Sequence, residues 1–125
     1  MSNKTSIFCI GLFIFWGCNR TERINREIEL QNRFLPEMLS DTLRIDSIHF
    51  NQKNNTLEYY YTVFNDSFVL LSNYNETQRK IAIKIKKTPD MAIFRNQRIT
   101  FEYIYISNKS KSILTKITIT EQMYR

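Results

Sequence analysis

A two-layer α+β fold is what the sequence predicts: a four-stranded antiparallel sheet with two helices over one face. Three observations carry that reading. Two stretches, about 42–64 and 98–120, alternate apolar with polar residues on either side of a polar turn, as β-hairpins do. Two others, about 22–35 and 76–87, repeat apolar residues at helical spacing. Each strand keeps one apolar face, which suits an antiparallel sheet wetted on one side and covered by both helices on the other.

The elements follow in order. Thr21 is placed to cap the first helix, in which Ile24, Ile28 and Leu35 recur with Leu30 and Phe34 beside them. Pro36 interrupts it, and Glu37-Met38-Leu39 reads as a short turn. In TLRIDSIHFN, residues 42–51, Leu43 and Ile45 share one parity while Ile48 and Phe50 share the other. That switch predicts a bulge near Asp46-Ser47, or burial on both faces. QKNN (52–55) is a turn without glycine, and TLEYYYTVF (56–64) is the return strand. Its Leu57, Tyr59, Tyr61 and Val63 face one way, and Glu58, Tyr60, Thr62 and Phe64 the other.

The middle segment admits two readings. Ile81, Ile83 and Ile85 alternate as a strand would. Against that, Asn75 and Gln78 have the spacing of a variant capping box, and Ile81, Ala82 and Ile85 form a helical stripe away from Lys80, Lys84 and Lys87. Helix is the reading adopted, with Thr88-Pro89 opening a further short helical turn. In RITFEYIYIS (98–107), Ile99, Phe101, Tyr103 and Tyr105 share a face. Residues 108–112 turn the chain, and ILTKITIT (113–120) completes the second hairpin.

The N-terminus is organised differently. Between Lys4 and Asn19 there is no charge, and Ile7 to Trp16 is an apolar run of ten residues, half of the roughly 20 that a spanning helix needs. One basic residue, a short apolar centre and a small residue, Gly17, have the form of a signal peptide. Phe15-Trp16-Gly17-Cys18 then resembles the cleavage site of bacterial lipoprotein precursors, although Phe15 and Trp16 depart from the leucine and the smaller residue usual there. The resemblance implies cleavage after Gly17 and a covalent lipid on Cys18. It divides the chain into a signal peptide (1–17), a lipidated cysteine with its tether (18–21) and a single domain (22–125). It also implies a membrane-anchored place in the cell envelope, with an outer-membrane, periplasm-facing position expected because no aspartate follows Cys18.

Removing residues 1–17 leaves 108, one domain's worth, carrying 17 basic and 12 acidic side chains. That domain has no cysteine once Cys18 is lipidated, so disulfides, thiolate nucleophiles and thiolate zinc sites are excluded. Both glycines of the chain, Gly11 and Gly17, fall in the removed segment. Glycine-rich phosphate loops are therefore excluded as well, and turns must be made by Asn, Asp and Ser.

Little catalytic chemistry is in view. His49 is the only histidine, and with Asp46 it offers two ligands, too few for a metal site. No cofactor is expected beyond the lipid. Glu58 and Glu102 each interrupt an aromatic strand on its polar face, and a carboxylate pair is what a glycosidase needs; the plainer reading pairs them with lysines across strands. Tyr59, Tyr61, Tyr103 and Tyr105 share the parity of the core, whereas Tyr60 points away from it. The expectation is a small non-enzymatic envelope lipoprotein that binds an envelope protein or a glycan, in a more specific version an inhibitor or immunity-type protein. Its candidate surface is the wet sheet face around Glu58, Tyr60, Thr62 and Glu102, or the basic helix with Lys80, Lys84 and Lys87. A hydrolase using Glu58 and Glu102 is the alternative, and a structural subunit of an envelope complex a third. Nucleic acid is not an expected partner.

Overall fold

A computed structural model of the chain describes residues 21–67 and 73–125. The signal segment 1–17, Cys18 and the first part of the tether lie outside the described residues. The described part of helix α1 covers residues 21–32, followed by strands β1 (Glu37–Met38), β2 (Leu43–Asn51) and β3 (Thr56–Val63). Helix α2 (Tyr74–Lys87), a 3-10 turn (Pro89–Met91) and the short helix α3 (Ala92–Arg95) come next. Strands β4 (Thr100–Ser107) and β5 (Ile113–Ile119) and helix α4 (Glu121–Tyr124) complete the domain. The sheet has five strands in the order β1-β2-β3-β4-β5.

Both hairpins stand where the alternation put them, but the sheet is mixed, not antiparallel. β3 and β4 pair in parallel, Thr56 beside Thr100 and Val63 beside Ser107. The reason lies in α2: its 14 residues rise about 21 Å, nearly the length of the eight-residue β3. The helix therefore carries the chain back to the end where β3 began, and β4 must start there. The fifth strand is the other correction. Glu37-Met38, expected as a turn, pairs antiparallel with Ile45 and Arg44 at the edge of β2.

The bulge is where the parity switch placed it. The register moves from Ile45 opposite Tyr61 to Ser47 opposite Tyr60, leaving Asp46 as the extra residue. One inserted residue turns the following side chains over, so Leu43, Ile45, Ile48 and Phe50 all belong to the same apolar layer. Beyond the two residues of β1 the edge of β2 is open, and Asn32 closes it. Its Nδ2 donates to the Ile48 carbonyl at 2.8 Å, and the Ile48 N–H donates to its Oδ1 at 2.9 Å. A side-chain amide thus stands in for a neighbouring strand, and α1 ends at residue 32 rather than 35. Thr21, expected as its cap, already lies within the helix.

The cap of helix α2 lies two residues earlier than expected. Asn73, not Asn75, accepts the Glu76 N–H at 3.2 Å. Gln78 reaches away from the helix, donating to the Thr118 carbonyl at 2.8 Å, and so pins α2 to β5. At the other end Arg95 Nη1 donates to the carbonyls of Ile85 (2.8 Å) and Thr88 (2.6 Å), a cation on the negative pole of the helix. One core lies between the sheet and the helices. Ile24 and Ile28 of α1, Ala82 and Ile85 of α2, and Phe94 of α3 enter it from above. Leu57, Phe101, Ile117 and Ile119 enter it from the sheet. Each fully buried large apolar side chain contributes about 1.5–3 kcal/mol.

Turns made without glycine show their cost in backbone geometry. Asn55, Arg98 and Lys111 are in the left-handed region, at φ 53°, 55° and 61°. At Asn55 the side chain compensates, its Nδ2 donating to the carbonyls of Gln97 (3.1 Å) and Arg98 (3.3 Å) and joining the β2–β3 turn to the start of β4. Asn55→Ala is expected to lower the unfolding free energy by about 2 kcal/mol, roughly half from the left-handed backbone and half from the lost bonds. Asn55→Gly is expected to lose less. Denaturant melts of the two variants check the order.

Candidate functional site

Alternation along the strands gives the sheet two different faces, and the expected site residues divide between them. On the face opposite the helices, Glu58 and Glu102 are register partners in adjacent strands, with His49 beside Glu58 and Thr118 beside Glu102. The two carboxylates are thus brought together, and each has a partner. Tyr60 Oη donates to Glu58 Oε1 at 3.0 Å, and Lys116 Nζ lies 3.4 Å from Glu102 Oε1. Burial, then the hydrogen bond to Glu58 and the charges of Glu58 and Glu102, push the Tyr60 hydroxyl up from its usual range. His49 is exposed. Among the described residues no group of three or more histidine, cysteine, aspartate or glutamate side chains is placed to hold a metal ion.

Thr62 is not available on that surface. It is buried and donates to Asp46 Oδ2, while Arg44 Nε bonds Asp46 Oδ1 at 2.6 Å. The bulge at Asp46 creates this knot by turning the aspartate toward its own strand partner. Arg44 also lies over the Phe64 ring, 5.3 Å from its centre.

The lysines belong to the other layer. Lys80 is exposed and pairs with Glu76 at 3.2 Å, one turn earlier on α2. Lys87 is exposed at the last turn. Lys84 stands at the wall of a cavity. The sheet-face residues and the lysines lie on opposite sides of the sheet, so they cannot act on one ligand together.

That cavity, of about 300 Å³, opens between the sheet and α2. Its floor is Tyr59, Tyr61, Tyr103 and Tyr105, and its upper wall is Ile81, Lys84, Ile85, Thr88 and Met91. The four tyrosines form a ladder across β3 and β4. Tyr59 stacks on Tyr103 with ring centres 4.8 Å apart, and Tyr61 stacks on Tyr105 at the same distance. Tyr61 and Tyr103 lie 6.2 Å apart and join the two pairs. The parallel register dictates this, because it sets Tyr59 beside Tyr103 and Tyr61 beside Tyr105 on one face. Flat rings standing side by side leave a gap beneath the rounded helix, where branched side chains would have filled it.

The hydroxyls make no hydrogen bond to any described residue, and burial pushes the ionisation of all four upward. At neutral pH the cavity therefore offers aromatic surface and uncharged hydroxyls, with one ammonium at its wall. Such a site suits an apolar or aromatic group with a polar edge. Sequence parity assigned these four rings to the core but gave no sign of the cavity. The matching Tyr-x-Tyr in both strands was the available signal, and it needed the parallel register to be read.

A family model described as a domain of unknown function, DUF8479, matches residues 19–115. No curated protein matches the chain. Among solved structures the chain is similar to a protein of Pseudomonas aeruginosa described as secreted, with 8% identity and a TM-score of 0.73 over 86% of this chain and 94% of that one. It is similar also to the type II secretion system pilotin AspS of Vibrio cholerae, with 11% identity and a TM-score of 0.60 over 84% of this chain and 92% of the other. A third is the pilotin EpsS of the Vibrio vulnificus type 2 secretion system, with 14% identity and a TM-score of 0.52 over 80% and 86%. At these identities the likeness is one of fold.

Proposed function

Because the chain belongs to the DUF8479 family, a domain of unknown function, we propose its role from its own surfaces. It is a small non-enzymatic lipoprotein of the bacterial cell envelope that binds a partner protein in the cavity between the tyrosine ladder and α2. The cavity is the observation that carries this reading. It lies at the lower end of ligand-pocket sizes and is walled by aromatic and aliphatic groups, which fits one or two apolar side chains of another protein and not a large cofactor. The fold shared with two secretion-system pilotins supports an envelope role, and the partner of choice is a component of an envelope assembly. The family match begins at Asn19, the residue after Cys18, which agrees with a domain that starts at the lipid. An outer-membrane, periplasm-facing position is part of the proposal.

The wet face supports a non-enzymatic reading. Glu58 and Glu102 are held by Tyr60 and Lys116, and neither lines the cavity. Ile81→Trp, which fills the cavity from its wall, tests the binding mode. The variant is expected to fold and to recover at least about tenfold less partner from solubilised envelopes, the effect of losing one buried anchor. Tyr60→Ala is expected to recover the wild-type amount. Loss of the partner with Tyr60→Ala and not with Ile81→Trp would move the binding surface to the other face of the sheet.

A further inference from the structure

We infer that the end of the domain next to the tether is a membrane-facing surface for the headgroups of anionic phospholipids; this rests on the lipoprotein reading above. Two cavities meet at that end. The smaller, about 70 Å³, is lined by Arg23 and Ile24 of α1 together with Ile93, Asn96 and Gln97. The larger, about 410 Å³, has Lys86, Arg95, Arg98 and Arg125 in its wall with Asn96, Glu121 and Tyr124. Asn96 belongs to both, so Arg23, Ile24 and the four cations occupy the same end of the molecule.

The charge there is unbalanced. Glu121 is shared between Arg98 at 3.7 Å and Arg125 at 3.6 Å, and cannot neutralise both. Both arginines remain mostly exposed, at 73% and 63%. Arg95 is committed to the carbonyls that end α2 but keeps its charge. The hairpin tip bearing Lys53 joins the same end through the bonds of Asn55 to Gln97 and Arg98. Glu22 and Asp90 are the further acids on the segments that form it. At the opposite end, where β3 and β4 finish, the turns carry charges of both signs: Lys109 and Lys111 between β4 and β5, Asp41 before β2 and Asp66 after β3.

Position gives this asymmetry its meaning. Cys18 precedes Arg23 by five residues, so a lipid on Cys18 lies within about 18 Å of Arg23 whatever path the chain takes. The basic end is thus held within reach of the bilayer that the lipid enters, and anionic headgroups attract cations that come within a Debye length, about 8–10 Å at physiological salt. The lipid on Cys18 holds the protein at the bilayer, and a basic surface beside it adds an attachment that depends on the headgroups. The same contact fixes orientation, turning the β4–β5 turn away from the membrane.

The test uses the mature protein purified from membranes, its acylation established by intact mass, in vesicles of phosphatidylcholine with or without phosphatidylglycerol. With Cys18 acylated, Asn96→Cys and Asn108→Cys each supply a single thiol for a fluorophore, and headgroup-labelled lipid is the quencher. Quenching at 96 is expected to exceed that at 108 by about threefold or more in vesicles with phosphatidylglycerol. The excess is expected to vanish at high salt or with Arg98→Glu and Arg125→Glu together. Equal quenching at both sites, or an excess that ignores phosphatidylglycerol, overturns this proposal alone. An unmodified Cys18 overturns the lipoprotein reading and this proposal with it.

Discussion

Cys18→Ala is expected to remove every acyl group from the protein. Wild-type protein isolated from bacterial membranes is expected to begin at Cys18 and to carry a mass in excess of its residues, whereas the variant carries none. The effect is large because each buried methylene adds about 0.8 kcal/mol to membrane affinity, and two chains together make a stable anchor. Nothing in the described domain replaces it. No helix among the described residues is long and apolar enough to cross a membrane, and the strongest exposed charge is a surface contact that salt weakens. Residues Ile7 to Trp16 remain in the variant if the cut before position 18 is not made, so cell fractionation alone would mislead. Intact mass separates the cases. A wild-type chain that retains residues 1–17 and carries no lipid would end the lipoprotein reading and return that apolar run to the folded domain.

Much of the fold was legible because its signals were local. The parity switch between Ile45 and Ile48 announced the bulge at Asp46, and the one-sided apolar pattern of β3 and β4 announced which face the helices cover. The parallel pairing was harder, since hydrophobic alternation is blind to strand direction. It follows only from the length of α2 matching that of β3. Glu37-Met38 became a strand through the open edge of β2, a tertiary opportunity that two exposed residues cannot advertise. Among the site residues, parity put Glu58 and Glu102 on the polar face, but only the parallel register makes them direct neighbours. Thr62 was misjudged as free. Its partner Asp46 reaches it only because the bulge turns that side chain over. The cavity was invisible for a related reason: it is a gap in packing, and a gap has no sequence pattern of its own.

Raising the pH is expected to unfold the domain cooperatively, between about pH 11 and 13, through its tyrosines. Burial raises the hydroxyls of Tyr59, Tyr61 and Tyr103 well above their ordinary 10, and each neighbouring ring in the ladder would repel a second phenolate. Tyr124 is pushed up to about 12 by burial and by Glu121, with Arg95 acting the other way. Its hydroxyl donates to the Ile99 carbonyl at 2.6 Å, and its ring packs edge-on to Phe101. The sign follows from linkage. Above pH 10 the unfolded chain releases these protons and the folded one keeps them. Stability present below pH 10 is therefore lost as pH rises toward the folded values, by about 1.4 kcal/mol per pH unit for each such tyrosine. Four of them acting together exhaust a typical domain stability of about 5–15 kcal/mol within one to three pH units. Tyrosinate absorbance and circular dichroism are expected to change in one step, because the first phenolate in a stack spaced at 4.8 Å disfavours the folded ladder and frees the rest. Tyr124→Phe is expected to lower the pH dependence by about a quarter, since one linked proton is gone. Tyrosines that ionise near pH 10 while the circular dichroism stays native would mean that the ladder is open to water, and that the cavity beneath α2 is a wet cleft with little to offer an apolar side chain.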